Sequence, residues 1–226
     1  MNKDKFKLLV NVSIKFILGF VIIGFLVFYT AGTFNFINGW LFIFSLMLPM
    51  LAFGFTLFRN DPETLERRLA TKEKEKSQVL VIILCSLVFI ASFALAGYSY
   101  RYNILRIPLL VSFIFVVVFL AGYYLYTLTI KQNRFAARNI TVAEHQPVIS
   151  DGLYGVVRHP LYMASMLVFL SIPLILGSLL SLLPMLMYPV VMIIRIKNEE
   201  TVLIRDLPGY DEYLKKVKYR LIPYIW

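Results

Sequence analysis

The chain has 226 residues, of which 59% are hydrophobic, and a formal net charge of +10. Ordinary soluble domains hold roughly 45–50% apolar residues; here the excess sits in long runs, several reaching the ~20 residues that a bilayer-spanning helix needs. These runs exclude a single aqueous core, and the dispersal of Lys and Arg over the links between them makes nucleic-acid binding a poor account of the charge. One cysteine, Cys85, falls inside an apolar run, and the two histidines, His145 and His159, make no convincing metal site. The fold class expected is all-α and polytopic, with no metal.

The first span is expected at about 8–29, with Lys15 near its entrance. The positive N-terminus before it has the look of a signal peptide, but no small-x-small cleavage site follows, so the run reads as a retained span. A second span, about 39–58, opens on Trp40, placed as an interfacial anchor. Then comes Arg59-Asn-Asp-Pro-Glu-Thr-Leu-Glu-Arg-Arg. Asp61 suits a helix N-cap, Pro62 the first helical position, and Glu63 the positive end of the helix dipole. An interfacial connector helix over about 61–76 is expected, with Leu65 and Leu69 on its membrane-facing stripe.

Spans three and four are expected at about 79–98 and 107–130. The polar stretch 131–158 leaves the hydrocarbon and turns at Ser150-Asp-Gly. Segments 161–176 and 178–194 form a helical hairpin about the uncharged Gly177-Ser178 junction, bent by Pro173, Pro184 and Pro189. That makes about six membrane-crossing segments. The last two form the hairpin, and the tail after Glu200 is amphipathic, broken at Pro208-Gly209 and suited to an interface. We divide the chain at 130: a four-span membrane region, 1–130, and a C-terminal functional region, 131–226.

Charge orients this layout. The N-terminus, the 59–78 loop, residues 131–160 and residues 195–226 hold 20 of the 23 Lys and Arg. With six crossings all four regions fall on one side, which the positive-inside rule names cytoplasmic. Both termini are therefore expected in the cytoplasm of a multi-pass, plasma-membrane protein.

On that side lie Gly152-Leu-Tyr-Gly-Val-Val-Arg-His-Pro-Leu-Tyr162 and Arg195-Ile-Lys-Asn-Glu-Glu200. His159 precedes Pro160, which biases it away from helix and lets the proline begin the next one. A helix start exposes backbone N–H groups to an anion. Arg195 and Glu199 are four apart and share a helix face; an arginine holds a carboxylate bidentately, and a glutamate accepts from hydroxyls or an amine. Each group has a plainer reading: a membrane-edge anchor and cap, a solvated helix exit, interfacial tyrosines, or a basic patch for anionic lipid. Spacing alone reaches a polar site at a helical hairpin.

The run from Val148 to Tyr162, the hairpin, Arg195 to Glu200, and Tyr210-Asp-Glu-Tyr213 resemble, in order and separation, the isoprenylcysteine carboxyl methyltransferase family, within a broader group that includes phospholipid N-methyltransferases. The resemblance covers roughly the last 90 residues; the connector at Asp61 also looks like that of prokaryotic relatives. It implies an enzyme that binds S-adenosylmethionine in a cytosolic C-terminal site and methylates the carboxylate of a lipophilic, isoprenylcysteine-like substrate entering from the bilayer. Carried onto matching positions, it implies cofactor contacts from Tyr154, His159, Pro160, Leu161 and Tyr162. Gln146, Pro147, Val148 and Ile149 would line the cofactor, with Glu199 and Glu200 beside it. Arg195 would face the substrate carboxylate, and Arg195 and Glu199 are the residues assigned to catalysis. Asn139 falls at a further cofactor position. The expected partners are a lipophilic or lipidated substrate and membrane lipids, without nucleic acid. Three alternatives stand beside this reading: a phospholipid N-methyltransferase, a sterol-type reductase using NADPH, and a non-catalytic lipid-binding protein.

Overall fold

The computed structural model describes residues 3–69, 76–135, 142 and 146–226. Asn139 and His145 lie outside the described residues. The described chain is helical, in the order α1 (Lys3–Ala31), α2 (Ile37–Asn60), α3 (Pro62–Leu69), α4 (Lys76–Tyr102), α5 (Leu109–Gln132), a single 3-10 turn (Gly152–Gly155), α6 (Pro160–Ile175), α7 (Leu179–Met185), α8 (Met187–Asp206) and α9 (Tyr210–Lys216). Among the described residues, α1, α2, α4, α5 and the α7–α8 pair are long and apolar enough to cross a membrane, five candidate spans. α6 is a sixth, shorter apolar helix. The protein is an integral, multi-pass membrane protein. Large apolar side chains such as Phe25, Phe55, Leu110 and Val117 face outward along the spans, where lipid replaces water.

Two glycines set how closely the spans approach. A Cβ on Gly97 of α4 would overlap the Thr30 hydroxyl and lie 2.6 Å from the Val27 carbonyl and 2.7 Å from the Ala31 nitrogen of α1. One on Gly122 of α5 would lie 2.7 Å from Leu167 Cβ and 3.1 Å from the Val168 nitrogen of α6. Between membrane helices there is little hydrophobic drive, so close backbone approach through small residues carries the packing.

At the far end of the bundle from α3, Asn38 donates to Ser112 Oγ at 2.8 Å and to the Ile175 carbonyl at 2.9 Å. Ser112 in turn donates to the Leu174 carbonyl at 2.9 Å. These bonds fasten α2 and α5 to the C-terminal end of α6. The hairpin bends at Gly177, whose φ of +72° is left-handed and favours glycine.

At the basic end the expected cap is present. Asp61 accepts from the Thr64 nitrogen at 3.2 Å and the Thr64 hydroxyl at 2.9 Å, opening α3 with Pro62 in its first position. Lys15 of α1 caps the other end, donating to the Leu69 carbonyl at 2.5 Å. The hairpin's second arm differs from the expected 178–194 segment. It pauses between α7 and α8 after Pro184, and α8 then runs past Ile194 to Asp206. Residues such as Lys197, Glu199 and Glu200 favour helix, so the helix outlasts its apolar stretch and carries Arg195 and Glu199 rigidly beyond it.

Gly97→Val should loosen the α1–α4 pair, since overpacking a tight contact costs about 1–3 kcal/mol. A lowered thermal midpoint in detergent, with Gly97→Ala between variant and wild type, is the expected readout.

Candidate active site

The sequence brings Arg158-His159 to the edge of α6, and a buried carboxylate on α8 holds them there. Glu200 accepts from Arg158 Nη1 at 3.0 Å, from His159 Nε2 at 3.3 Å and from Arg220 Nε at 2.9 Å. Its side chain is only 7% exposed. The backbone joins in: the Arg158 and His159 nitrogens each donate at 2.9 Å, to the Tyr219 and Arg220 carbonyls. The tail read from sequence as an interfacial segment is thus packed against the motif. The turn before it is also fixed from α5. Gly152 has a φ of +54°, and the Leu153 nitrogen donates to Gln132 Oε1 at 3.1 Å.

Above this knot lies a cavity of about 90 Å³. Gln146, Pro147, Val148 and Ile149 form one extended wall. Tyr154, His159, Leu161, Tyr162 and Glu199 line it from the turn, α6 and α8. Nine of the residues implied by the resemblance therefore meet around one space. Pro160 and Glu200 do not line it: the proline starts α6, and Glu200 holds the three basic groups.

Other lining residues were given no site role from sequence. Leu203 and Leu207 follow Glu199 at intervals of four, a helical stripe legible from spacing alone. Tyr210 and Tyr213 of α9, Asn133, Phe135 and Arg158 complete the wall. Tyr213 donates to the Tyr154 carbonyl at 2.8 Å. Burial pushes the Tyr154 phenol up to about 12, and burial beside Glu200 and Glu199 raises Tyr210 above the tyrosine range. Both stay protonated at neutral pH as donors. The Tyr210 hydroxyl is buried without a hydrogen-bond partner.

A second cavity, about 440 Å³, opens on the other side of Leu161 and Tyr162. Its walls are mostly apolar, from Val81, Ile82 and Phe89 of α4, Phe169 of α6 and Met192 of α8, and Arg195 and Arg68 bring charge. A chain of hydrogen bonds joins the two spaces: Arg195 Nε donates to the Tyr162 hydroxyl at 2.8 Å, which donates to Glu199 Oε2 at 2.5 Å. Arg195 Nη1 also donates to Gln78 Oε1 of α4 at 3.2 Å. Among the described residues no cluster of His, Cys, Asp and Glu is arranged to hold a metal.

Glu200→Ala should cost about 3–5 kcal/mol, the loss typical when one partner leaves a buried ion pair. A lowered thermal midpoint in detergent checks it, with Glu200→Gln retaining part of the loss.

No curated protein matches the chain. Residues 110–205, from the first turn of α5 to the last of α8, match the model of the isoprenylcysteine carboxyl methyltransferase (ICMT) family, a match that together with five long apolar helices among the described residues supports a membrane methyltransferase.

Proposed function

We propose that the protein transfers a methyl group from S-adenosylmethionine to the carboxylate of a lipophilic acceptor at the cytoplasmic face of the membrane. The Arg195–Tyr162–Glu199 chain carries this reading, because it couples a polar cavity in the family-matched segment to an apolar cavity that opens among the spans. The chemistry of the first cavity fits the cofactor. Glu199 can accept from hydroxyl or ammonium groups, the unpartnered Tyr210 hydroxyl can donate, and the rings of Tyr154, His159 and Tyr162 suit a flat heterocycle. Small-molecule sites run to about 300–1,000 Å³, so this cavity of about 90 Å³ must widen for the cofactor to enter.

When bound, the cofactor would supply an electrophilic methyl on a sulfonium to one carboxylate oxygen and keep the carbon–sulfur electron pair on sulfur as the leaving thioether. The acceptor's carboxylate is ionised at neutral pH and needs no base. The protein's task is alignment and exclusion of water. Arg195 orients the carboxylate from the acceptor cavity, and Tyr162 fixes Arg195 against Glu199. Leu161 and Tyr162 form the boundary across which the methyl passes. Pro160 and Glu200 act by positioning: one starts α6, the other anchors Arg158 and His159. Region 131–226 builds the cofactor side, while α3 to α5 add to the acceptor side. An amine acceptor fits less well, because Arg68 and Arg195 line its cavity and no described carboxylate does.

Calorimetric titration of the detergent-purified protein with S-adenosylhomocysteine tests the cofactor, with NADPH alongside. Saturable binding of the first, lost in Glu199→Ala, is expected; binding of NADPH alone would overturn the reading. Arg195→Ala should retain S-adenosylhomocysteine and lose roughly 10²–10³-fold in kcat/KM for a lipophilic acid, about 3–4 kcal/mol of transition-state stabilisation.

A further inference from the structure

Gln78 opens the first turn of α4, outside the family-matched segment, and its side chain is fully buried. Its carboxamide oxygen is used: it accepts from Arg195 Nη1 at 3.2 Å, tying α4 to α8. Its nitrogen is not: Nε2 is buried and has no hydrogen-bond partner. A buried polar atom in a folded protein is almost always paired, and each exception asks for a reason. The guanidinium can only donate, so the carboxamide must turn its oxygen to Arg195, which leaves Nε2 as the group still seeking an acceptor. Val81, Ile82 and Cys85, three, four and seven residues on, line the apolar cavity beside Arg195; Gln78 precedes them on the same helical face and meets that wall through its bond to Arg195.

We propose that Gln78 is a second recognition arm for the acceptor. Its oxygen fixes the Arg195 guanidinium, and its Nε2–H donates to the acceptor carboxylate that Arg195 holds. The inference rests on the acceptor reading given above and sharpens it. The site then offers a guanidinium and a neutral amide donor, with no described carboxylate in the cavity wall. That set suits a single planar carboxylate on an apolar body, such as a fatty or isoprenoid acid, and gives an amine nothing to donate to.

Two variants separate this role from a simple tether. Gln78→Glu keeps an oxygen for Arg195 and strengthens the tether, but removes the N–H and places negative charge where the carboxylate should sit. Gln78→Met keeps the volume and removes both functions. The measurement is acceptor KM for a lipophilic acid, with S-adenosylhomocysteine affinity by calorimetry as the control for folding and the cofactor site. We expect KM to rise at least ~10-fold in Gln78→Met and further in Gln78→Glu, with S-adenosylhomocysteine affinity unchanged in both. Gln78→Glu at wild-type KM with Gln78→Met impaired would reduce Gln78 to a tether. An unchanged KM in Gln78→Met would overturn the assignment whatever the glutamate variant does. Wild-type protein that does not bind S-adenosylhomocysteine sinks the methyltransferase reading itself and takes this one with it; the two failures are distinct.

Discussion

The buried carboxylate of Glu200 is the constraint on which the site end of the molecule depends. It sits on a helix that has outrun its apolar stretch, and it gathers Arg158, His159 and Arg220 from two other segments. Each of those groups would be costly to bury alone, and so would the carboxylate; together they compensate one another. The arrangement also fixes direction. With Arg158 and His159 turned to Glu200, and their backbone nitrogens bonded to Tyr219 and Arg220, the start of α6 has little freedom. Tyr162 follows one turn on, and Arg195 lies five residues before Glu200 on α8. The geometry of the second cavity is therefore a consequence of the first knot.

The bundle supplies the complementary rigidity. Gly97 and Gly122 let α4 and α6 come against α1 and α5 at backbone distance, while Asn38 and Ser112 satisfy carbonyls at the end of α6. A polar cluster of this kind is out of place on a lipid-facing surface, and Asn38 and Ser112 are both buried. The hairpin is thus pinned at its turn by α2 and α5 and at its open end by Glu200. Between those pins α6 and α8 hold Tyr162 and Arg195 within 2.8 Å.

Much of this was legible in the sequence, for identifiable reasons. Apolar runs of bilayer length fix the long helices, since a membrane admits few other solutions. Asp61-Pro62 announced its cap, and Arg195 and Glu199 their common face. The end of α8 was less legible because hydropathy stops at Ile194 while helix propensity does not. The tail was read as an interfacial segment from its basic and aromatic composition. Composition carries no record of Arg220 reaching a carboxylate twenty residues upstream. Gln78 left no signal at all. An amide in Lys76-Ser-Gln-Val reads as solvated helix start, and only its contact with a residue 117 positions away gives it meaning.

The division between what the family match covers and what it omits has a physical counterpart. The matched segment, 110–205, contributes the 146–149 wall, Tyr154, the α6 start and Glu199 to the polar cavity. The groups that close that cavity from α9, Tyr210 and Tyr213, lie past the match, and so does Arg220. The apolar cavity draws Val81, Ile82, Cys85 and Phe89 from α4, ahead of it. On the proposed function, the donor's polar groups meet a set that must stay in fixed relation to one another, because the methyl, the sulfur and the attacking oxygen have to align. The acceptor's apolar body asks only for volume and shape, which neighbouring spans can supply in many ways. On that proposal, a reactive core held by charge and hydrogen bonds sits beside a wall of exchangeable apolar side chains, an arrangement in which one transfer chemistry can serve acceptors of different lipid structure. On the same proposal the point of contact between the two parts is Arg195, which the structure holds between Tyr162 and Gln78.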